Sequence, residues 1–150
     1  MTATKDLIAR SSIVVNAPPT KVWEALVSPA ALKQYMFGSD VRSDFKEGSP
    51  ITFSGEWQGK SYQDKGSILK AERNSVLQYS HFSSMSGKPD RPENYHTVTI
   101  ELSDLGGNRT RVQLTQDNNQ NEAERAHSEK NWNMMLTGLK KFVEGSAQQR

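Results

Sequence analysis

Cysteine is missing from this chain altogether, although it runs to 150 residues. That excludes disulfides, a thiol nucleophile and cysteine-ligated zinc. Long hydrophobic runs are missing too, since nothing approaches the roughly 18 apolar residues that a membrane span needs. The opening stretch MTATKDLIARSSIVV holds no continuous apolar run of signal-peptide type. A cytoplasmic domain is the expectation. Charge of one sign is equally scarce, with 19 basic against 17 acidic residues and a formal charge of +2. No basic run exceeds Lys140-Lys141, so nucleic acid is not an expected partner. There is no Walker loop, GxGxxG, GxSxG or HExxH, which argues against nucleotide use, serine hydrolysis and zinc peptidase chemistry.

What is present is periodicity. The hydrophobic share is 34% and the mean hydropathy −0.75, a polar composition for a globular chain. The apolar residues are nevertheless regularly spaced, which argues against disorder. One domain over 1–150 is expected, with no linker and no internal repeat. LIARSSIVVN reads as a strand, and Ala17-Pro18-Pro19 stops it. Two short helices follow at about 19–27 and 29–36, because Pro29 interrupts one helical stripe. After Gly38 about six antiparallel strands alternate for some 80 residues.

ITFSGEW and YQDKGSI form the sharpest hairpin. A II′ turn at Gly59-Lys60 is expected, pairing Trp57 with Tyr62, Gly55 with Asp64, Phe53 with Gly66 and Ile51 with Ile68. Ala71 opposite Val76 then brings Tyr79 beside Ile68 and His81 beside Gly66. Val98, Ile100 and Leu102 are answered by Val112 and Leu114 across Gly106-Gly107-Asn108. Asn121 and Glu124 look like a capping box for a helix over 122–144. Its stripe of Trp132, Met135, Leu136, Leu139, Phe142 and Val143 must cover one face of the sheet.

This order resembles the activator-of-Hsp90-ATPase-like family of the START/Bet v 1-like superfamily. The matching stretches are IVVNAPPTKVWEALVSPAALKQYM, FKEG, GSILKAERNSVLQYSHF, TVTIELSDLGGNRTRVQLTQ and NWNMMLTGLKKFVEG, so the resemblance covers about 8–145. It implies an α+β helix-grip fold, in which the long C-terminal helix lies across a curved antiparallel sheet. It also implies a hydrophobic cavity between the two in many members. Chaperone activation is not expected, because no chaperone-binding domain precedes and no charged activating motif is found.

The residues expected to line that space are Phe53, Trp57, Tyr62, Gly66, Tyr79, His81, His96, Trp132, Met135 and Leu136. They either enclose a pocket for a small hydrophobic or aromatic molecule or simply fill the core. Asp64, His81 and His96 all point inward in these registers, as acid–base candidates or as a hydrogen-bonded cluster. The leading reading is a ligand-binding module without cofactor or metal, monomeric or a homodimer. An enzyme of cyclase or hydrolase type using His81, Asp64 and Tyr79 is the alternative, and a chaperone-associated interaction protein a third. Glu124-x-x-His127 reads as a solvated helix face. SSMSGKPDRPEN is either a lid over the cavity or a long connection.

Overall fold

The computed structural model describes residues 7–36, 38–84 and 86–148, apart from the side chains of Trp57 and of residues 146–148. The chain begins with strand β1 (Ala9–Val15) and helices α1 (Pro19–Leu26) and α2 (Pro29–Tyr35). Both helices start on proline, whose missing N–H costs nothing in a first turn. The Ser28 side chain accepts a hydrogen bond from the Ala31 amide at 3.2 Å and caps α2. Six more strands follow: β2 (Asp40–Arg42), β3 (Pro50–Trp57), β4 (Lys60–Glu72), β5 (Val76–His81), β6 (His96–Asp104) and β7 (Thr110–Gln116). Helix α3 (Glu122–Gln148) closes the chain. The strands form one antiparallel sheet in the order β1-β7-β6-β5-β4-β3-β2. This is the expected curved sheet with a long helix across it, an α+β helix-grip fold.

Two registers differ from expectation. Trp57 pairs with Lys60, Gly55 with Tyr62, Phe53 with Asp64 and Ile51 with Gly66. The turn is Gln58-Gly59, with φ of 52° and 80°, so both central residues are left-handed and the turn is of I′ type. One positive φ at Gly59 was legible in the sequence; a second, at a glutamine, was not. The slip moves each pair by two residues, so every side chain keeps its face. The second correction lies between β4 and β5. Ile68 faces Tyr79 as expected, but Ala71 pairs with Leu77 and Glu72 with Val76, because the register shifts between Ile68 and Lys70. The extra residue of that β-bulge is Leu69, left exposed.

Val98, Ile100, Leu102, Val112 and Leu114 are buried in the expected pairs. From α3, Met135, Leu136, Leu139 and Val143 are buried against them, while Trp132 and Phe142 pack half-buried at the margins. Asn121 caps α3 as expected, its side chain accepting the Glu124 amide at 2.8 Å. Glu124 returns to the Gln120 amide at 3.2 Å, one residue earlier than in a capping box. The helix runs four residues past its expected end.

Helix α3 also protects the sheet edge. Strand β1 has no outer neighbour among the described residues, so half of its backbone groups face away from β7. Glu129 accepts the Arg10 amide at 2.9 Å, Glu144 accepts the Asn16 amide at 2.8 Å, and Lys140 donates to the Val14 carbonyl at 3.0 Å. Charged side chains thus take hydrogen bonds that another strand would otherwise supply.

Candidate functional site

Between α3, α2 and the concave face of the sheet lies one apolar void. Leu26, Leu32 and Met36 line it from the helical side; Val41 and Phe45 from β2 and the β2–β3 connection; Met135 from α3. Ile51, Phe53, Leu77, Tyr79 and Ile100 form its floor. Its volume is only about 10 Å³, room for about one water molecule. The space under α3 is therefore closed by side chains as it stands.

Tyr79 contributes the one polar side chain on this lining among the described residues. It is buried, and burial pushes its phenol far above the ordinary value, so the hydroxyl stays neutral. No hydrogen-bond partner for that hydroxyl exists among the described residues. Tyr35 provides the contrast: its equally buried hydroxyl donates to the Ala25 carbonyl at 2.8 Å. Among the described residues the one fully enclosed polar side-chain atom without a partner is Asn74 Oδ1, so the Tyr79 oxygen keeps some accessible surface.

Phe45 is unusual in another way. Its φ is 54°, a left-handed conformation that a bulky side chain rarely adopts. The Ser43 hydroxyl accepts its amide at 2.9 Å, which holds the turn. A strained phenylalanine thus forms one wall of the void.

Of the residues expected to line a ligand space, Phe53, Tyr79 and Met135 meet at this void. Leu136 is buried in the core beside it. Trp132 sits at the edge, its indole donating to Gln116 Oε1 at 2.5 Å. Tyr62 lies over Gly55, where a Cβ would come within 2.8 Å of its hydroxyl oxygen, and it reaches Ser39 at 2.7 Å. It straps the outer strands rather than lining the void. Gly66 has no open space either: a Cβ there would stand 1.7 Å from the Ser80 carbonyl oxygen. It faces Ile51, not Phe53, and its lack of a side chain lets β4 and β5 approach. The Trp57 side chain lies outside the described residues.

His81 and His96 continue a row of rings away from the void. The Phe53 ring stands 5.6 Å from Tyr79 and 5.3 Å, edge-on, from His81. His81 stacks on His96 at 6.4 Å. Behind them Asp64 Oδ2 is 3.2 Å from His81 Nε2, while Oδ1 accepts the Ser84 amide at 2.9 Å and its hydroxyl at 3.1 Å. Partial burial pushes the Asp64 carboxyl up, but the His81 and Ser84 hydrogen bonds outweigh it and hold the group below the usual carboxylate range. His96 Nδ1 donates to the Asp117 carbonyl at 2.9 Å. Among the described residues no three His, Cys, Asp or Glu side chains gather where they could hold a metal ion.

The Ser/Pro/Gly connection after β5 does not line the apolar void. It is fixed to the sheet through Ser84, through the Asp90–Lys65 ion pair, and by stacking of Tyr95 on Phe82 at 5.2 Å. With His96 and the start of α3 it encloses a second, polar hollow of about 240 Å³. Most of the void's lining had no signature in the sequence. Periodicity says that Leu26 or Leu77 is inward, but not which inward residues converge across seven elements.

A helix gripped by a seven-stranded antiparallel sheet, with an apolar space beneath it, defines an α+β helix-grip protein. Comparison with known families gives the narrower placement. Residues 16–144 match the family described as Activator of Hsp90 ATPase homolog 1-like protein, and the chain belongs to that family. Among solved structures, ChR145 from Cytophaga hutchinsonii is 59% identical with a TM-score of 0.81, over 94% of this chain and 96% of that one. The Aha1 dimer from Colwellia psychrerythraea is 21% identical with a TM-score of 0.70, over 91% and 96%. DynU16, of the dynemicin biosynthetic locus, is 18% identical with a TM-score of 0.76, over 93% of this chain and 48% of its own. These last two likenesses are of fold. No curated protein matches the sequence. No helix among the described residues is long and apolar enough to cross a membrane.

Proposed function

We propose that this protein binds a small hydrophobic molecule carrying one hydrogen-bonding group, in the space between α3 and the sheet. The observation that carries the reading is the Tyr79 hydroxyl, the one polar side-chain group on an otherwise apolar lining and without a partner among the described residues. A ligand oxygen or nitrogen would satisfy it, and the remaining surface would take an aliphatic or aromatic body.

Binding on this reading requires the void to open, since about 10 Å³ admits no organic molecule. The β2–β3 connection is the element best suited to move. It has no strand pairing at Phe45, and its left-handed backbone there costs about 1–2 kcal/mol that an open form recovers. Met36 and Met135, unbranched and adaptable, can repack around a guest. Desolvation of an apolar body at about 25 cal/mol per Å² supplies the driving force, less the costs of association.

The test is native mass spectrometry of freshly purified protein, followed by thermal melts against a panel of flat hydrophobic compounds with and without a carbonyl or hydroxyl. A carbonyl-bearing binder should raise Tm, and Tyr79→Phe should weaken it about tenfold while leaving the fold intact, as expected for one lost hydrogen bond. No co-purifying molecule and no stabilising compound would mean that these side chains only fill a core.

A further inference from the structure

The second hollow, of about 240 Å³, has a different chemistry. Its walls are Ser83, Ser86, Lys88 and Asn94 from the connection after β5, His96 from β6, and Gln120, Glu124 and Ser128 at the start of α3. Among the described residues no aliphatic or aromatic hydrocarbon side chain lines it.

It carries charges of both signs. Lys88 and Glu124 line the same hollow, yet neither forms an ion pair with any described residue, including the other. Among the described residues the Glu124 carboxylate is engaged only by the Gln120 amide, at 3.2 Å. Here the ammonium and the carboxylate stand apart across one polar space. His96 adds a directed group. Its Nδ1 donates to the Asp117 carbonyl, which leaves Nε2 without a partner among the described residues. Stacking on His81 fixes the ring plane.

We infer that this hollow binds a small zwitterion of amino-acid type, with its carboxylate on Lys88, its ammonium on Glu124 and its polar side group at His96. A carboxylate or an amine alone would satisfy one charge and leave the other facing it unpaired, so the pairing selects molecules that carry both. Ser86, whose oxygen accepts the Lys88 amide, can still donate; Ser128, which donates to Asn119 Oδ1, can still accept; and the Asn94 and Gln120 amides add both kinds of group. The site is separate from the apolar void, and the success or failure of either reading leaves the other standing.

The test is a titration of the 15N-labelled full chain with the free L-amino acids, and with sodium acetate and methylamine hydrochloride as half-ligand probes. Polar amino acids should shift the amides of Lys88, His96 and Glu124 in a saturable way, at least tenfold more tightly than acetate or methylamine. Lys88→Gln and Glu124→Gln, both at solvent-accessible positions, should each weaken that binding about tenfold with an unchanged spectrum elsewhere. Acetate binding as tightly as the amino acids, amino-acid binding indifferent to both substitutions, or no saturable shift in the panel would each overturn the assignment.

Discussion

Gly66 shows how much a single position depends on register. Alternation places it correctly on the inner face, but a two-residue slip in the hairpin changes its neighbour from Phe53 to Ile51. A glycine beside an aromatic suggests a void; a glycine whose Cβ would stand 1.7 Å from the Ser80 carbonyl marks a backbone approach. Gly66→Ala should therefore cost at least the upper part of the roughly 1–3 kcal/mol typical of overpacking, since backbone cannot rotate away as a side chain can. Urea denaturation measures it, and a loss below about 0.5 kcal/mol would show that β5 yields. At Asp64 the signal is pH. Its carboxyl is held below the ordinary value by His81 and Ser84 despite burial. A depressed folded pKa stabilises fully above the unfolded value near 3.9 and ceases to do so as pH falls through the folded one. Asp64→Asn should thus lose about 1–2 kcal/mol at pH 6. That deficit should shrink below about pH 4 in parallel urea titrations; one constant down to pH 2.5 would contradict the assigned shift.

At the scale of elements, the sequence spoke clearly where one segment decides its own shape and faintly where two must agree. Pro19, Pro29 and Asn121 mark helix starts within a residue, because capping and proline act locally. The bulge at Leu69 had no local cause and appears only where β4 meets β5. The Gln58-Gly59 turn is a third case, since its glutamine holds φ at 52° against its own preference. Asparagine tolerates that conformation better, so Gln58→Asn should stabilise the protein by about 0.5–1 kcal/mol, seen as a higher urea midpoint with an unchanged m-value. A neutral or negative effect would mean that the glutamine side chain compensates. The docking of α3 on β1 offers a further check. Glu129→Ala with Glu144→Ala frees the Arg10 and Asn16 amides. Each exposed bond contributes about 0.5–1 kcal/mol, but their larger effect is to cover an edge. Faster hydrogen exchange at both amides and concentration-dependent association in sedimentation are expected; unchanged exchange would mean that these contacts cover nothing.

The whole molecule is a closed grip, and closure was what periodicity could not decide. A stripe of Met135, Leu136, Leu139 and Val143 facing an aromatic sheet is the same pattern whether the space between is full or empty. Volume depends on how Leu26, Phe45, Leu77 and Met135 interdigitate, and no spacing rule records that. Phe45 gives the sharpest handle on it, because it is both wall and strained backbone. Phe45→Ala removes the wall and keeps the strain; Phe45→Gly removes both, since glycine adopts φ 54° freely. Truncating a half-buried phenylalanine should cost somewhat less than the roughly 3–5 kcal/mol of a fully buried one. The glycine variant should be the more stable of the two by about 1 kcal/mol, the reverse of the usual ranking of alanine over glycine. If the space beneath α3 is where ligands enter, both variants should also bind benzene, detected as a rise in Tm with its concentration that exceeds the wild-type rise. Alanine more stable than glycine would show that the left-handed turn stores no strain. Two destabilised variants that ignore benzene would show that the core collapses over the gap, and that the grip is closed for packing alone.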